Sequence, residues 1–376
     1  MSTAAPRPLR VVMAPDSLTG SATAVEAAEA LRRGWLRARP GDDVALAPMA
    51  DGGQGTLDVL AAAVPGARRV PVRVTGPDDR PVDAHWLRLP DGTGVVEVAS
   101  TSGITLLDPR RPLTAHTRGF GQAIRAALDA GVARLLLALG GSSSTDGGVG
   151  ALRQLGARFP RADGSAAGDG GGALAGIAAA DLAGLRALPS GGARILGDVR
   201  APLTGPSGAA AVYGPQKGAT PDDVRLLDAG LAHLALLLGV DPATPGSGAA
   251  GGTAAGLLAW GADAASGSAG VADAIGLAPR IAGADVVVTG EGRFDAQSRT
   301  GKVPSRVLDL AVAHGTAAVL VAGAVAAPTD GFRAVRSLTD LAGSGADARA
   351  HVVRWLERAA EDLARDAEAL LPRPDR

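Results

Sequence analysis

Short apolar runs alternate with longer stretches of helical period along most of this chain, and glycine or aspartate stands where one gives way to the other. Leu9 to Pro15 reads as a buried strand ending at Asp16-Ser17. From about Ala22 to Arg39, the residues Ala24, Ala27, Ala28, Leu31 and Trp35 recur near one helical face. A second strand, about Asp43 to Pro48, runs into Ala50-Asp51-Gly52-Gly53-Gln54-Gly55-Thr56 and a helix through Ala63. Two strand-turn-helix units in succession predict parallel pairing.

From Arg69 the pattern changes to β-like runs, Val70 to Val74, Val82 to Leu87 and Val95 to Val98, joined by turns at Pro77-Asp78-Asp79 and Asp91-Gly92. Alternation with tight turns predicts an antiparallel or mixed sheet, closed by Ser100 to Gly103. A helix from about Arg118 to Gly131 and a strand from Leu135 to Leu139 follow, and Gly164 to Gly176 reads as a surface excursion. Later strands are predicted at Arg194 to Gly197, at Val286 to Val288, where the run stops at glycines, and at Ala317 to Ala322. An amphipathic helix from Ala348 to Leu371 closes the chain. Because strands at both ends are alike, the expected fold class is α/β with two domains. Residues 1–67 and 284–376 build a Rossmann-like parallel-sheet domain, and residues 68–283 form an inserted mixed-sheet α/β domain.

Composition narrows the function. A chain of 376 residues, 46% hydrophobic, can bury two cores. With a net charge of −1 and both signs mixed, no basic field favours nucleic acid or an anionic membrane. The absence of cysteine excludes thiol nucleophiles and Cys-ligated zinc, and the five histidines lack the spacing of a His-metal motif. Met1 to Arg10 lacks the apolar core of a signal peptide and no run is long enough to span a membrane, so a cytoplasmic protein is expected. Oligomeric state stays open, a homodimer among the alternatives.

Candidate chemistry gathers in loops after strands. Among 37 basic residues only Lys217 and Lys302 are lysine. In a chain that otherwise uses arginine, these two point to a need for a compact, rotatable ammonium. Lys302 opens a helical stretch shortly after Gly290-Glu291-Gly292-Arg293-Phe294-Asp295, and Lys217 lies in Tyr213-Gly214-Pro215-Gln216-Lys217-Gly218. Both lysines read as ligands for phosphate or carboxylate. Gly140-Gly141-Ser142-Ser143-Ser144-Thr145-Asp146-Gly147-Gly148, directly after a strand, is either a phosphate cradle of backbone N–H and hydroxyl donors or a flexible linker. It is not a Walker A loop. Asp198, at a strand end, is either a magnesium ligand or a turn cap. Gly-x-Gly-x-x-Gly after a strand is absent, against a dinucleotide-binding dehydrogenase.

Seven segments together resemble the bacterial glycerate kinase family, the type that forms 2-phosphoglycerate. They are Ala14-Pro15-Asp16-Ser17, Ala50-Asp51-Gly52-Gly53, Gly140-Gly141-Ser142 with Asp146-Gly147-Gly148, Gly197-Asp198-Val199, Gly214-Pro215-Gln216-Lys217-Gly218, Gly248-Ala249-Ala250-Gly251-Gly252, and Thr289-Gly290-Glu291-Gly292-Arg293 with Asp295, Gln297, Gly301 and Lys302. The resemblance implies ATP, Mg²⁺ as the divalent cation, D-glycerate or a similar small hydroxy acid, and two α/β domains of which one is flavodoxin-like. Within that frame, residue chemistry gives phosphate binding to Lys302, Lys217 and Gly140, Gly141, Ser142 and Ser143, with Gly290 and Glu291 beside the nucleotide. Arg293 is expected on a carboxylate or the transferring phosphoryl group, Asp198 or Asp295 on Mg²⁺, and Asp16 and Asp51 on the acceptor hydroxyl. Thr19 and Gln54 stand where the family pattern has a lysine and a carboxylate, Thr145 where it has asparagine, and Ala201 where it has another asparagine. These departures leave open a kinase for another acid, or a non-catalytic relative that binds a nucleotide or small hydroxy acid.

Overall fold

The computed structural model describes residues 7–299 and 301–371. Thr300 of the lysine-containing motif and part of the N-terminal stretch lie outside the described residues. In chain order the strands are β1 (Arg10–Pro15), β2 (Asp43–Leu46), β3 (Arg68–Thr75), β4 (Pro81–Arg88), β5 (Thr93–Glu97), β6 (Arg134–Ala138), β7 (Ala193–Leu196), β8 (Asp263–Ala265), β9 (Val286–Phe294), β10 (Ala317–Val325) and β11 (Ala334–Ser337). They form two sheets in two compact units. One unit comprises the described residues up to Asp51, then Asp58–Val64, and those from Ser268 on; the other comprises Gly52–Leu57 and Pro65–Gly267.

The first unit holds a fully parallel sheet in the order β11-β10-β9-β1-β2. Numbered by appearance within the unit, this is the 2-1-3-4-5 order of flavodoxin-like folds, whose direction of winding reverses between the first and third strands. Here those strands are β1 and β9. Leu9, Val11, Met13, Val286, Val288, Val319 and Val321 bury one face against the helices Ala24–Ala38 and Val352–Arg365. Those helices approach closely: a Cβ on Gly34 would stand 2.0 Å from the carbonyl oxygen of Glu357. Thr23 starts the first of them with a reciprocal capping box to Glu26. Residues 268–283, assigned by sequence to the insert, pack in this unit. Leu277 and Ile281 are buried, and Arg280 donates to the carbonyls of Leu46 and Ala63.

The second unit holds a mixed sheet, β3-β4-β5-β6-β7-β8, antiparallel from β3 to β5 and parallel from β5 to β8. Trp86, Phe120, Ile124, Leu135 and Leu137 anchor its core. Two local expectations change. Val98–Ser102 is a short helix instead of a sheet closure. The glycine-rich stretch is partly internal: Gly171 and Leu174 are buried, and a Cβ on Gly171 would meet Leu227 of the helix Pro221–Leu238 at 2.4 Å.

The largest correction concerns β9. It does not stop at Gly290 but continues through Glu291 and Arg293 to Phe294, paired throughout with β10, which itself runs on to Val325. The glycines are there for close backbone approach. A Cβ on Gly290 would lie 1.8 Å from the Val321 carbonyl oxygen, and one on Gly323 would lie 2.3 Å from that of Gly292. The charged residues therefore ride on a strand that overruns β1, whose last partner is Gly290. Gly290→Ala should lower stability by about 3 kcal/mol, the range of an overpacked core, whereas Gly283→Ala, whose Cβ would make ordinary contacts at 3.7 Å, should stay within about 0.5 kcal/mol. Urea unfolding of the two variants checks this; equal midpoints would show that β9 and β10 can part without penalty.

Candidate active site

In the first unit, the end of β1 sets the geometry. The Asp16 N–H donates to the Gly290 carbonyl at 2.8 Å and the Met49 N–H to the Pro15 carbonyl at 2.9 Å. This extends both ladders by one step. Asp16 therefore stands at the carboxyl end of the central strand, with Glu291 beyond the last paired residue on one side and Asp51 just past the extension of β2 on the other. Burial, the neighbouring Asp51 and then Glu291 push the Asp16 carboxyl up to about 7, against the opposing hydrogen bond from Ser17. Glu291 is also raised, chiefly by burial, with Ser298 and Lys302 offsetting part of the effect. Its Oε1 is buried and has no hydrogen-bond partner. Lys302, half-buried, occupies the cap position of the helix Val303–His314.

Arg293 and Asp295 complete this edge. The Arg293 side chain is exposed, its Nε 3.9 Å from Asp295 Oδ2. Asp295 Oδ1 accepts from the Gln297 N–H at 2.9 Å, and its own N–H donates to Ser298 Oγ at 3.0 Å, a turn that caps β9. The structure thus gathers Asp16, Asp51, Gly290, Glu291, Arg293, Asp295 and Lys302 at one end of one sheet.

The second unit builds the glycine-serine loop at the corresponding end of β6. Its backbone is fixed, which removes the linker alternative. The Gly140 N–H donates to the Gly52 carbonyl at 3.0 Å, and a Cβ there would strike Gly53 at 2.4 Å. Ser143 donates through both N–H and Oγ to the Ser102 carbonyl, at 3.0 and 2.9 Å, and Gly141 accepts from the Ile104 N–H. Asp146 is a buried fastener. Its Oδ2 accepts from the Thr117 N–H and hydroxyl at 2.9 and 2.8 Å and from the Gly150 N–H at 3.2 Å, and its Oδ1 accepts from the Gly148 N–H at 3.2 Å. Gly251 comes within 2.1 Å, measured from a hypothetical Cβ, of the Ser144 carbonyl.

Lys217 supports the same loop from the interior. It is 3% exposed, and its Nζ donates to Ser142 Oγ at 3.1 Å and to the Ser144 carbonyl. Burial lowers its pKa to about 8, with Asp146 opposing. The hydroxyls of Ser144 and Thr145 are buried without a partner. Of the serines singled out by sequence, Ser143 is tied down and Ser142 meets the lysine, while Ser144 and Thr145 carry unused donors. Thr117 had no signal in the sequence, because nothing local relates it to Asp146, 29 residues on.

The partners that carboxylates already have separate those that could hold a divalent cation from those that could not. Asp198 Oδ1 accepts from Ser266 Oγ and the Gly267 N–H, both at 2.9 Å, fastening the end of β7 to the residues that follow β8. Among the described residues, one group brings three donor atoms within 4.8 Å of one another: Asp79, His116 and Asp169. There the Arg118 guanidinium already supplies the positive charge, 3.0 Å from Asp79 Oδ1 and 3.4 Å from Asp169 Oδ2. The row Asp16, Asp51 and Glu291 is different. It combines mutual repulsion with a buried, unpartnered oxygen, which suits a hard cation.

Comparison with known proteins gives the family. Residues 11–368 match the model of the glycerate kinase family. The chain is 40% identical over 371 residues to a glycerate kinase of Bacillus subtilis (strain 168), covering 95% of this chain and 97% of that one. It is 39% identical over 327 residues to a glycerate 2-kinase of Escherichia coli (strain K12), covering 84% and 86%. A crystal structure of a candidate glycerate kinase 2 from Salmonella typhimurium LT2 superposes with a TM-score of 0.82 at 36% identity, over 96% of this chain and 99% of that one. With residues 11–368 inside the match, the chain belongs to the glycerate kinase family.

Proposed function

We propose that this protein is an ATP-dependent kinase that phosphorylates the 2-hydroxyl of D-glycerate to give 2-phosphoglycerate. The observation that carries the reading is the carboxylate row at the flavodoxin-like winding reversal, between β1 and β9, because ligands of open parallel sheets bind at that point. In the reaction the acceptor oxygen bonds to the γ-phosphorus, the bond from that phosphorus to ADP breaks, and the hydroxyl proton leaves. Such transfer needs positioning and charge neutralisation more than covalent help from the protein. Asp16 and Asp51 orient the acceptor hydroxyl, and a carboxyl near 7 is suited to receive its proton. Lys302 and Arg293 supply cations for the phosphoryl group and the acid's carboxylate.

The fixed loop from Gly140 to Gly148 presents backbone N–H groups and the free hydroxyls of Ser144 and Thr145 for phosphate oxygens. Lys217 holds that loop in shape. Mg²⁺, when bound, would supply positive charge against the phosphates, and Glu291, with its buried unpartnered oxygen, is the residue that would help to hold it. Purified protein should form ADP only when D-glycerate and Mg²⁺ are both present, and the product should show phosphorus coupling at carbon 2 by NMR. Glycerate-independent or absent turnover would favour the reading, prompted by Thr19 and Gln54, of a relative that binds without reacting.

Lys302→Met should lower kcat by on the order of 10²-fold with the thermal midpoint unchanged, and Lys302→Arg by less. Near-normal turnover in the Met variant would remove Lys302 from the mechanism. Lys217 gives a separate expectation with a definite sign. Its folded-state value of about 8 lies below the ordinary 10.5, so the folded state binds fewer protons than the unfolded state between those values. The penalty of burying the ammonium is therefore complete below pH 8 and disappears as the pH rises to 10.5. Relative to Lys217→Met, the natural protein should gain on the order of 3 kcal/mol across that range, measured by urea unfolding. Parallel pH profiles would contradict the buried charge.

A further inference from the structure

We infer that His116 is a positioning residue for the glycine-serine loop, and that it works by capping the helix whose first turn fastens that loop. The helix Arg118–Asp129 starts after Thr117, the usual place for a capping side chain, yet Thr117 makes no such bond. Its hydroxyl is taken elsewhere: it donates to Asp146 Oδ2 at 2.8 Å and accepts from the Ala151 N–H at 2.9 Å. The second of these bonds ties the start of this helix to the helix Val149–Gln154. The approach is close, since a Cβ on Gly150 would stand 2.8 and 2.9 Å from the Arg118 and Thr117 nitrogens. Phe120 adds a further tie: its N–H donates to Ser102 Oγ at 3.3 Å, and the carbonyl of that same serine holds Ser143. The first turn of the helix therefore grips the loop at both Ser143 and Asp146.

A helix start leaves N–H groups in need of acceptors. With Thr117 diverted, His116 supplies one: its Nδ1 accepts from the Arg118 N–H at 3.4 Å. This is the arrangement of an Asx turn, a side chain accepting from the N–H two residues on, with an imidazole in place of an amide. A backbone N–H only donates, so Nδ1 carries the lone pair and the ring proton sits on Nε2, where Asp79 Oδ1 accepts it at 3.3 Å. His116 is 1% exposed, and a side chain without an acceptor there would leave the Arg118 N–H without its partner.

Asp79 gives independent support. It has φ of +69°, a left-handed conformation in which glycine would sit with less strain. The turn itself closes through backbone bonds, from the Gly76 N–H to the Arg80 carbonyl and from the Asp79 N–H to the Gly76 carbonyl, and these need no carboxylate. The carboxylate instead faces His116 and, at 3.0 Å, the Arg118 guanidinium. Strain kept for the sake of a side chain points to a use for that side chain. Here the use is to take the Nε2 proton and so leave Nδ1 able to accept. The inference draws on the kinase reading only for what the glycine-serine loop binds.

Hydrogen exchange of the full chain, followed by mass spectrometry without substrate, tests this. Peptides covering residues 140–152 report the amides of Gly148, Gly150 and Ala151, each bonded to Asp146 or Thr117. His116→Leu should exchange there about tenfold faster, with peptides of β5 and β6 unchanged. His116→Asn, whose side chain accepts from the Arg118 N–H in a true Asx turn, should stay within about twofold of the natural protein. Asp79→Gly relieves the turn but removes the carboxylate; it should loosen the same peptides, and it serves as the test if the Leu variant does not fold. Natural exchange of the loop in His116→Leu or Asp79→Gly, equal loosening in His116→Asn, or protection lost evenly through the unit would each overturn the inference. In turnover, His116→Leu should raise the KM for ATP about tenfold and leave that for glycerate unchanged; an unchanged KM for ATP would deny His116 a part in the reaction. If the natural protein forms no ADP in response to glycerate, the kinase reading fails by itself, because the exchange result is obtained without turnover.

Discussion

The first unit depends on how closely the backbones of β9 and β10 approach. Where Gly290 faces Val321 and Gly323 faces Gly292, no side chain fits, and the ladder runs on for several residues beyond the end of β1. That overrun carries Glu291 past the core and into line with Asp16. Without it, the acidic and basic residues after Val288 would belong to a mobile turn, and their mutual distances would be set by loop entropy. On a paired strand they are set by hydrogen bonds.

Each unit solves the problem of holding polar groups in a buried place differently. In the first, repulsion is left standing: burial and neighbouring carboxylates keep Asp16 near neutrality, and Glu291 retains an oxygen with nothing to accept. In the second, charge is consumed internally. Asp146 takes hydrogen bonds from four donors and Lys217 donates to the loop, so these two groups hold the scaffold. A carboxylate whose hydrogen bonds are all met, as Asp146's are, serves the scaffold.

Glycine is used in two distinct ways. At Gly141, Gly147 and Gly148 the backbone has φ of +79°, +61° and +79°, conformations that other residues resist, and the loop could not turn as it does with side chains there. At Gly140, Gly251 and Gly290 the limit is contact with a neighbouring backbone. At these positions glycine is required by turn geometry or by close backbone packing.

The α/β class, the parallel character of the terminal sheet and the shift to hairpins after Arg69 were legible in the sequence. Those follow from hydrophobic period and from glycine and aspartate at strand ends, which are local properties. The arginine bias of the chain also made Lys217 and Lys302 stand out. Only the tertiary structure decided that β9 continues to Phe294, since two glycines in a row of charges look like a turn until β10 is seen lying against them. Likewise, only the fold separated Lys217, a buried support, from Lys302 at a helix cap, and joined Thr117 to Asp146 across 29 residues. Burial and partnership depend on which distant segment comes to lie beside a residue, and no periodicity within a single stretch of chain records that.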